Sequence, residues 1–170
     1  MQVGALRTLI EAGYVPDLLV GTSIGAVNAT GMAWWGADLS GIERLEHAFE
    51  DAANENIMDP RVALLLVRAL SGRRNRGISR RAKEYFTSKG IVPDLQFGQI
   101  TGVRLGLVSA NLDSGQPVIY GLDPSQSVLE GLLASIAVPP WFEPIEKDGY
   151  ETASVHITHC FSSDYRDRPG

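Results

Sequence analysis

A short apolar run that ends in a glycine–serine–glycine turn constrains this chain more than any other feature. Residues 17–25 read Asp-Leu-Leu-Val-Gly-Thr-Ser-Ile-Gly, and a helix-like pattern of small and apolar residues follows at once. So few apolar residues fit only a short buried strand, and the predicted order is therefore strand, tight turn and helix. A Gly-x-Ser-x-Gly turn in that setting is typical of a nucleophile elbow, in which a strained backbone exposes the serine hydroxyl.

The elbow predicts a role for each of its residues. Ser23 is the candidate nucleophile, and Gly21, Thr22, Ile24 and Gly25 form the turn around it. We expect glycine at positions 21 and 25 because side chains there would collide across so tight a turn. The helix that follows should direct its free N–H groups and the positive end of its dipole toward Ser23. A negative charge that develops on a substrate oxygen would be stabilised there.

Composition narrows the possible partners and cofactors. The 170 residues are 44 % hydrophobic and 21 % charged, which is ordinary for a globular protein of one domain. A net charge of −5 and the lack of an extended basic stripe argue against a nucleic-acid partner. The single cysteine, Cys160, fits a reducing compartment and excludes an internal disulfide. His47, His156 and His159 have no spaced cysteine partners, so we expect neither a metal site nor a cofactor.

Apolar periodicity and turn residues predict alternating helices and strands. Helices are predicted over residues 2–12, 24–35, 41–53, 79–88 and 125–135, with another that begins at Asp59-Pro60, and strands over residues 18–20, 103–110 and 117–120. Gly13 and Gly90 are expected to end helices, and Asp148-Gly149 to form a hairpin turn. This alternation predicts an α/β fold with a largely parallel sheet flanked by helices.

One segment raises the question of a membrane surface. Residues 62–67 are apolar on nearly every side of a helix, and a basic loop over residues 72–77 follows. A buried helix before a solvated loop explains this pattern, and so does peripheral contact of residues 62–76 with an anionic membrane. No apolar run is long enough to span a bilayer, and the first residues do not read as a signal peptide. We therefore expect a cytoplasmic protein with possible peripheral attachment.

Three separated motifs resemble the patatin-like phospholipases, in order, over residues 1 to about 150. They are the first helix with the elbow (residues 6–29), Ser-Ala-Asn-Leu-Asp-Ser-Gly (109–115) and Leu-Ala-Ser-Ile-Ala-Val-Pro-Pro-Trp-Phe-Glu-Pro-Ile (133–145). The resemblance implies hydrolysis of lipid acyl esters by a Ser–Asp dyad, without histidine or metal. In that scheme Ser23 attacks the ester carbonyl, an aspartate takes its proton, and water cleaves the acyl-enzyme. The elbow also comes too early for the several strands that precede it in an ordinary α/β-hydrolase.

Two features of that family are not found in the sequence. A glycine-rich oxyanion loop should precede the first helix, where Met1-Gln2 stands. An Asp-Gly-Gly or Asp-Gly-Ala aspartate should follow the 148–150 turn, but the chain continues Glu-Thr-Ala-Ser-Val-His. Asp148 resembles the turn residue of the family and is only a weak candidate base. We therefore expect a partial patatin-like domain over residues 1–150, lacking its first strand and its C-terminal part, and an atypical tail over residues 151–170.

The sequence thus favours a lipid acyl-ester hydrolase of the phospholipase A, lysophospholipase or esterase type, with a lipid or acyl ester as its partner. Absence of the oxyanion loop and of the family aspartate would impair its activity. Two other hypotheses stay open. One is a non-catalytic module that keeps the fold and binds lipid or protein. The other is a Ser–His α/β-hydrolase that uses His156 or His159.

Overall fold

The computed structural model describes residues 2–54, 76–138, 144–147 and 149–154. Several sequence predictions fall outside these ranges. They are the helix from Asp59-Pro60, nearly all of the 62–76 segment, the candidate base Asp148 and the two histidines of the tail.

Ten elements of regular helix and strand make up the described part. The helices are α1 (Gln2–Glu11), α2 (Ile24–Trp35), α3 (Leu39–Asn54), α4 (Arg76–Ser88) and α5 (Val128–Ile136). The strands are β1 (Leu18–Gly21), β2 (Arg104–Asn111), β3 (Pro117–Tyr120), β4 (Ile145–Lys147) and β5 (Tyr150–Ala153). A single 3-10 turn, Phe97–Gln99, lies between α4 and β2.

The described strands form one mixed sheet built on β2. β1 pairs with β2 in parallel, with Gly21 opposite Leu107. β3 returns from β2 as an antiparallel hairpin, and β5 pairs antiparallel with β2 at Ala110 and Asn111. β4 and β5 form the hairpin expected at Asp148-Gly149, and Gly149 has a φ of +85°. The predicted α/β class is confirmed. Among the described strands, β1 and β2 pair in parallel, whereas the β2–β3 and β4–β5 hairpins and the β2–β5 pair are antiparallel.

Two apolar clusters fix α2, the helix that follows the elbow. Ala26 and Ala29 of α2 belong to the larger cluster, together with the fully buried Leu107, Tyr120 and Leu132. The smaller cluster consists of Met32 with Ile42 and Leu45 of α3, and Val3, Leu6 and Ile10 of α1 pack against it. Burial of each large side chain contributes roughly 1.5–3 kcal/mol, so α2 is firmly attached on two sides.

The predicted helix end at Gly13 is confirmed, and the start of α3 is capped by a side chain. Gly13 has a φ of +85°, and its N–H donates to the Ile10 carbonyl at 2.9 Å while the Tyr14 N–H donates to the Leu9 carbonyl at 3.0 Å. This is the Schellman arrangement, in which a left-handed glycine ends a helix. At the start of α3, an Asp38 carboxylate oxygen accepts from the Gly41 N–H at 2.9 Å, as an N-cap does.

Two predicted helix starts are wrong. Ser79 lies inside α4, which begins at Arg76, because a serine is tolerated within a helix and does not by itself mark its start. α5 begins after Ser127, whose hydroxyl accepts from the Glu130 N–H, and not near Ser125. The N–H and hydroxyl of Ser125 are both bonded to Asp123 in the preceding turn.

Candidate active site

Ser23 lies in the turn between β1 and α2 and has a strained backbone. Its φ is +54° and its ψ is −126°, and no other non-glycine residue in the described ranges has a positive φ. Such a conformation costs of order 1–3 kcal/mol and persists only where the surroundings hold it. The strained serine expected of an elbow is therefore present, on the segment that joins the parallel strand to the buried helix.

Hydrogen bonds from two other parts of the fold hold this turn. The Ser23 N–H is shared between the carbonyl oxygen of Ser135, at 3.2 Å, and the Ser135 hydroxyl, at 3.1 Å. The same hydroxyl donates to the Val108 carbonyl at 2.6 Å, and Thr22 Oγ1 donates to that carbonyl at 3.0 Å. Along β2, Val108 falls between the residues that pair with β1 and those that pair with β5. The hydroxyls of Thr22 and Ser135 thus bond to the Val108 carbonyl in the gap between the residues of β2 that pair with β1 and those that pair with β5.

The N–H groups at the start of α2 are more fully occupied than the sequence suggested. The Gly25 N–H donates to the Thr22 carbonyl at 2.9 Å, and the Ala26 N–H donates to the Ser23 carbonyl at 2.9 Å. The Val27 N–H also reaches the Ser23 carbonyl, at 3.3 Å. Among the described residues only the Ile24 N–H of this first turn has no partner. The sequence predicted several free N–H groups at the start of α2, and the described structure leaves one, the N–H of Ile24.

The two glycines of the motif have different roles. A Cβ built on Gly21 would lie 2.3 Å from the Gly25 carbonyl oxygen and 2.6 Å from the Ala26 Cα, so no side chain fits. A Cβ built on Gly25 would have no atom of its surroundings within 4 Å. The steric reason given for glycine is therefore confirmed at position 21 and wrong at position 25, because position 25 faces outward from the turn.

A cavity of about 500 Å³ opens beside the first turns of α2. Its lining is mixed, with apolar Val3, Ile24 and Phe49 and polar Gln2, Asn28, Glu46 and Glu50. Asn28 is 4 % exposed, and its Nδ2 donates to Gln2 Oε1 at 2.6 Å. The Asn28 Oδ1 is buried and has no partner in the described part of the chain. Ile24, the residue that follows Ser23, belongs both to the elbow and to the cavity wall, whereas Ser23 itself is not among the lining residues.

No described carboxylate or imidazole hydrogen-bonds to the Ser23 hydroxyl. The candidate bases from the sequence, Asp148, His156 and His159, lie outside the described residues. His47 is exposed on α3, and its Nδ1 lies 3.4 Å from Glu50 Oε2. The pairing of Ser23 with a base therefore stays a prediction.

Glu46, on the cavity wall, is committed to another partner. Arg7 Nη2 donates to Glu46 Oε2 at 2.6 Å, and Arg7 Nε donates to its other carboxylate oxygen at 3.2 Å. This hydrogen bonding, with the positive charge of Arg7, holds the pKa of Glu46 below its usual value of 4.5. A carboxylate stabilised in this way is a poor proton acceptor, so Glu46 is not suited to act as a base. Its contact with Arg7 instead joins α3 to α1.

Neither metal ligation nor a membrane span is evident in the part of the chain that the structure describes. Within that part no three His, Cys, Asp or Glu side chains are grouped so that they could hold a metal ion. None of its helices is both long enough and apolar enough to cross a membrane.

Ser135 is the residue of this site that sequence reasoning missed. It lies in an apolar helix end, Leu-Leu-Ala-Ser-Ile, and periodicity gives it no role beyond a small buried residue. Its relation to Ser23 depends on a contact between residues 112 positions apart. The one available signal was a hydroxyl in an otherwise apolar stretch, since buried polar groups nearly always have a partner.

Comparison with known proteins agrees with this geometry. A family model described as patatin-like phospholipase matches residues 1–157, a range that contains the elbow, β2, α5 and the β4–β5 hairpin. A search among curated proteins found no match to the chain.

Proposed function

The chain belongs to the patatin-like phospholipase family, and on that premise we propose that it hydrolyses acyl esters of lipids with Ser23 as the nucleophile. The observation that carries the proposal is the strained, anchored turn at Ser23. A positive φ on a serine costs free energy, and here buried contacts from β2 and α5 maintain it. Such strain is expected where a hydroxyl must be presented to a substrate.

The reaction follows the two-step course of serine acyl transfer. Ser23 Oγ forms a bond to the ester carbonyl carbon while its proton passes to a general base. The tetrahedral intermediate collapses, and the alcohol leaves with the proton that the base returns. Water then attacks the acyl-enzyme while the base takes a proton from it, and the base passes this proton to Ser23 Oγ as the fatty acid departs.

Stabilisation of the oxyanion would come from the start of α2. The Ile24 N–H follows the nucleophile and has no partner among the described residues, and the dipole of the twelve-residue helix adds partial positive charge there. The Ser23 N–H is already occupied by Ser135 and is not available for this purpose. Each donor of this kind typically contributes 10²–10³ in rate, about 2.7–4 kcal/mol.

The cavity beside Ile24 suits an ester that has an apolar part and a polar part. Val3, Ile24 and Phe49 offer apolar contact to an acyl chain. Gln2 and Glu50 line the same cavity and offer polar contact to the rest of the substrate. For the general base, family resemblance implies an aspartate, and Asp148 is the weak candidate in this chain. Peripheral membrane contact through residues 62–76 remains part of the proposal.

Active-site labelling with a fluorophosphonate probe tests the proposal. The purified chain should be labelled at one serine and should turn over p-nitrophenyl acyl esters, and Ser23→Ala should abolish both. Ser125→Ala is the matched control, because Ser125 is an exposed serine whose N–H and hydroxyl are both bonded to Asp123 in a surface turn. This control should be labelled like the wild type.

Two results would contradict the proposal. Labelling that survives in Ser23→Ala would assign the nucleophile elsewhere. A folded wild type that is never labelled and turns over no ester would favour the non-catalytic module, above all if it still binds liposomes. Loss of turnover in His156→Ala or His159→Ala would instead indicate a Ser–His enzyme, and Asp148→Asn tests the remaining candidate base.

A further inference from the structure

Ser135 makes hydrogen bonds that are unusual for a serine at the end of a helix. The side chain is fully buried, with 0 % exposure, one residue before the end of α5. A serine in a helix commonly bonds back to a carbonyl of its own helix. The Ser135 hydroxyl donates instead to Val108 of β2 and accepts from the Ser23 N–H, residues that are 27 and 112 positions away. It therefore joins three separate parts of the fold through one oxygen atom.

The geometry of the elbow depends on that oxygen. A turn at φ +54° on a serine tends to relax toward negative φ unless its neighbours hold it. The Ser23 N–H is directed into the fold by Ser135, and Thr22 is held by the same Val108 carbonyl. The bridge thus fixes the backbone N–H of the candidate nucleophile toward α5 and β2.

We propose that Ser135 is a positioning residue for Ser23, which acts through the bridge from the Ser23 N–H to the Val108 carbonyl. This inference rests on the proposed hydrolase function. Ser135 is fully buried and does not touch the substrate, so it affects the rate of attack and not substrate binding. A displacement of about 1 Å at a reacting atom costs on the order of 10²-fold in rate. The Ser135 carbonyl, which also accepts from Ser23, remains in any variant and limits the loss.

The decisive comparison uses three variants. In Ser135→Ala the rate of fluorophosphonate labelling and kcat should fall about 10- to 100-fold, while KM stays within about twofold of the wild type. Ser135→Thr keeps the hydroxyl and should recover most of kcat. Ser109→Ala is the matched control. Ser109 is a buried serine of β2, 3 % exposed, and its hydroxyl has no partner among the described residues. Its removal should leave kcat and KM unchanged.

Hydrogen exchange of the Ser23 amide gives a readout that does not depend on turnover. Its exchange rate should rise at least about tenfold in Ser135→Ala and stay unchanged in Ser109→Ala, because only the former loses an acceptor of that proton. This measurement also decides the case if Ser135→Thr does not fold, since a residue fully buried in the core leaves little room for a methyl group.

The outcomes separate the inference from the function on which it rests. Equal labelling of the wild type and a folded Ser135→Ala, with an unchanged Ser23 amide, overturns the positioning role and leaves the hydrolase proposal standing. An equal loss of kcat in Ser135→Ala and Ser109→Ala also overturns it, because a general softening of the core would then explain both. A wild type that is never labelled overturns both proposals.

Discussion

Replacement of the two motif glycines by alanine should have very different effects on stability: Gly21→Ala should destabilise the fold and Gly25→Ala should not. At Gly21 the new Cβ would lie 2.3 Å from the Gly25 carbonyl oxygen, 2.5 Å from its carbon and 2.6 Å from the Ala26 Cα, whereas real Cβ contacts shorter than 3.0 Å essentially never occur. The atoms it meets are backbone atoms of the first turn of α2, which the two apolar clusters hold in place. Relief would require β1 and α2 to separate by about 1 Å.

The size of the effect follows from that overlap. Overpacking in a core typically costs 1–3 kcal/mol, and contact with fixed backbone falls at or above the upper end. We expect Gly21→Ala to lower the free energy of unfolding by about 3 kcal/mol or more, a fall in Tm of about 6–12 °C for a domain of this size. Gly25→Ala meets nothing within 4 Å at the start of a helix, so its stability should be unchanged or higher by up to about 1 kcal/mol.

Urea denaturation followed by circular dichroism, with thermal melts of both variants, provides the measurement. The pair is matched, since each variant adds one methyl group to the same turn. Equal destabilisation by the two substitutions would refute the reasoning, because it would mean that the motif as a whole tolerates no side chain. A Gly21→Ala protein as stable as the wild type would refute the overlap itself.

Two further predictions concern the helices that surround the site. The hydrogen bond and charge of Arg7 lower the pKa of Glu46 in the folded protein. The ion pair should therefore contribute fully to stability above the unfolded pKa near 4.5, and this contribution should be lost as the pH falls through the lower folded pKa. The difference in urea midpoint between wild type and Glu46→Gln should thus shrink below about pH 4.5 and diminish with added salt; a pH-independent difference would exclude this linkage. Asp38→Ala should lower the free energy of unfolding by about 0.5–2 kcal/mol through loss of the α3 cap, whereas Asp38→Asn should keep most of the stability of the wild type. Equal losses of stability in the two variants, measured by calorimetry, would argue against capping.

Features of the fold that depend on neighbouring residues were predictable from the sequence. Gly13 ends α1, and the strand–turn–helix order around Ser23 is as expected, because each depends on a few consecutive residues. Errors arose where a local signal competed with another one. Ser125 has the character of a cap, but its bonds to Asp123 hold it in a turn, and the helix begins after Ser127.

The candidate site was less predictable because its supports are remote in sequence. The motif indicated Ser23, but the acceptors of its N–H lie on α5, and the carbonyl that anchors Thr22 lies on β2. Neither hydrophobic periodicity nor capping patterns contain information on such contacts. The free space at Gly25 was likewise not predictable, since a motif does not show which of its glycines faces another part of the backbone.

The bridge at Ser135 also determines when the site can form during synthesis. Ser23 leaves the ribosome 112 residues before the residue that accepts its N–H. At 5–20 residues per second, this interval lasts about 6–22 s. During that time the strained conformation of Ser23 lacks the contacts that offset its cost, so the turn should sample relaxed forms. A competent nucleophile would therefore appear on the nascent chain only well after its motif has been translated.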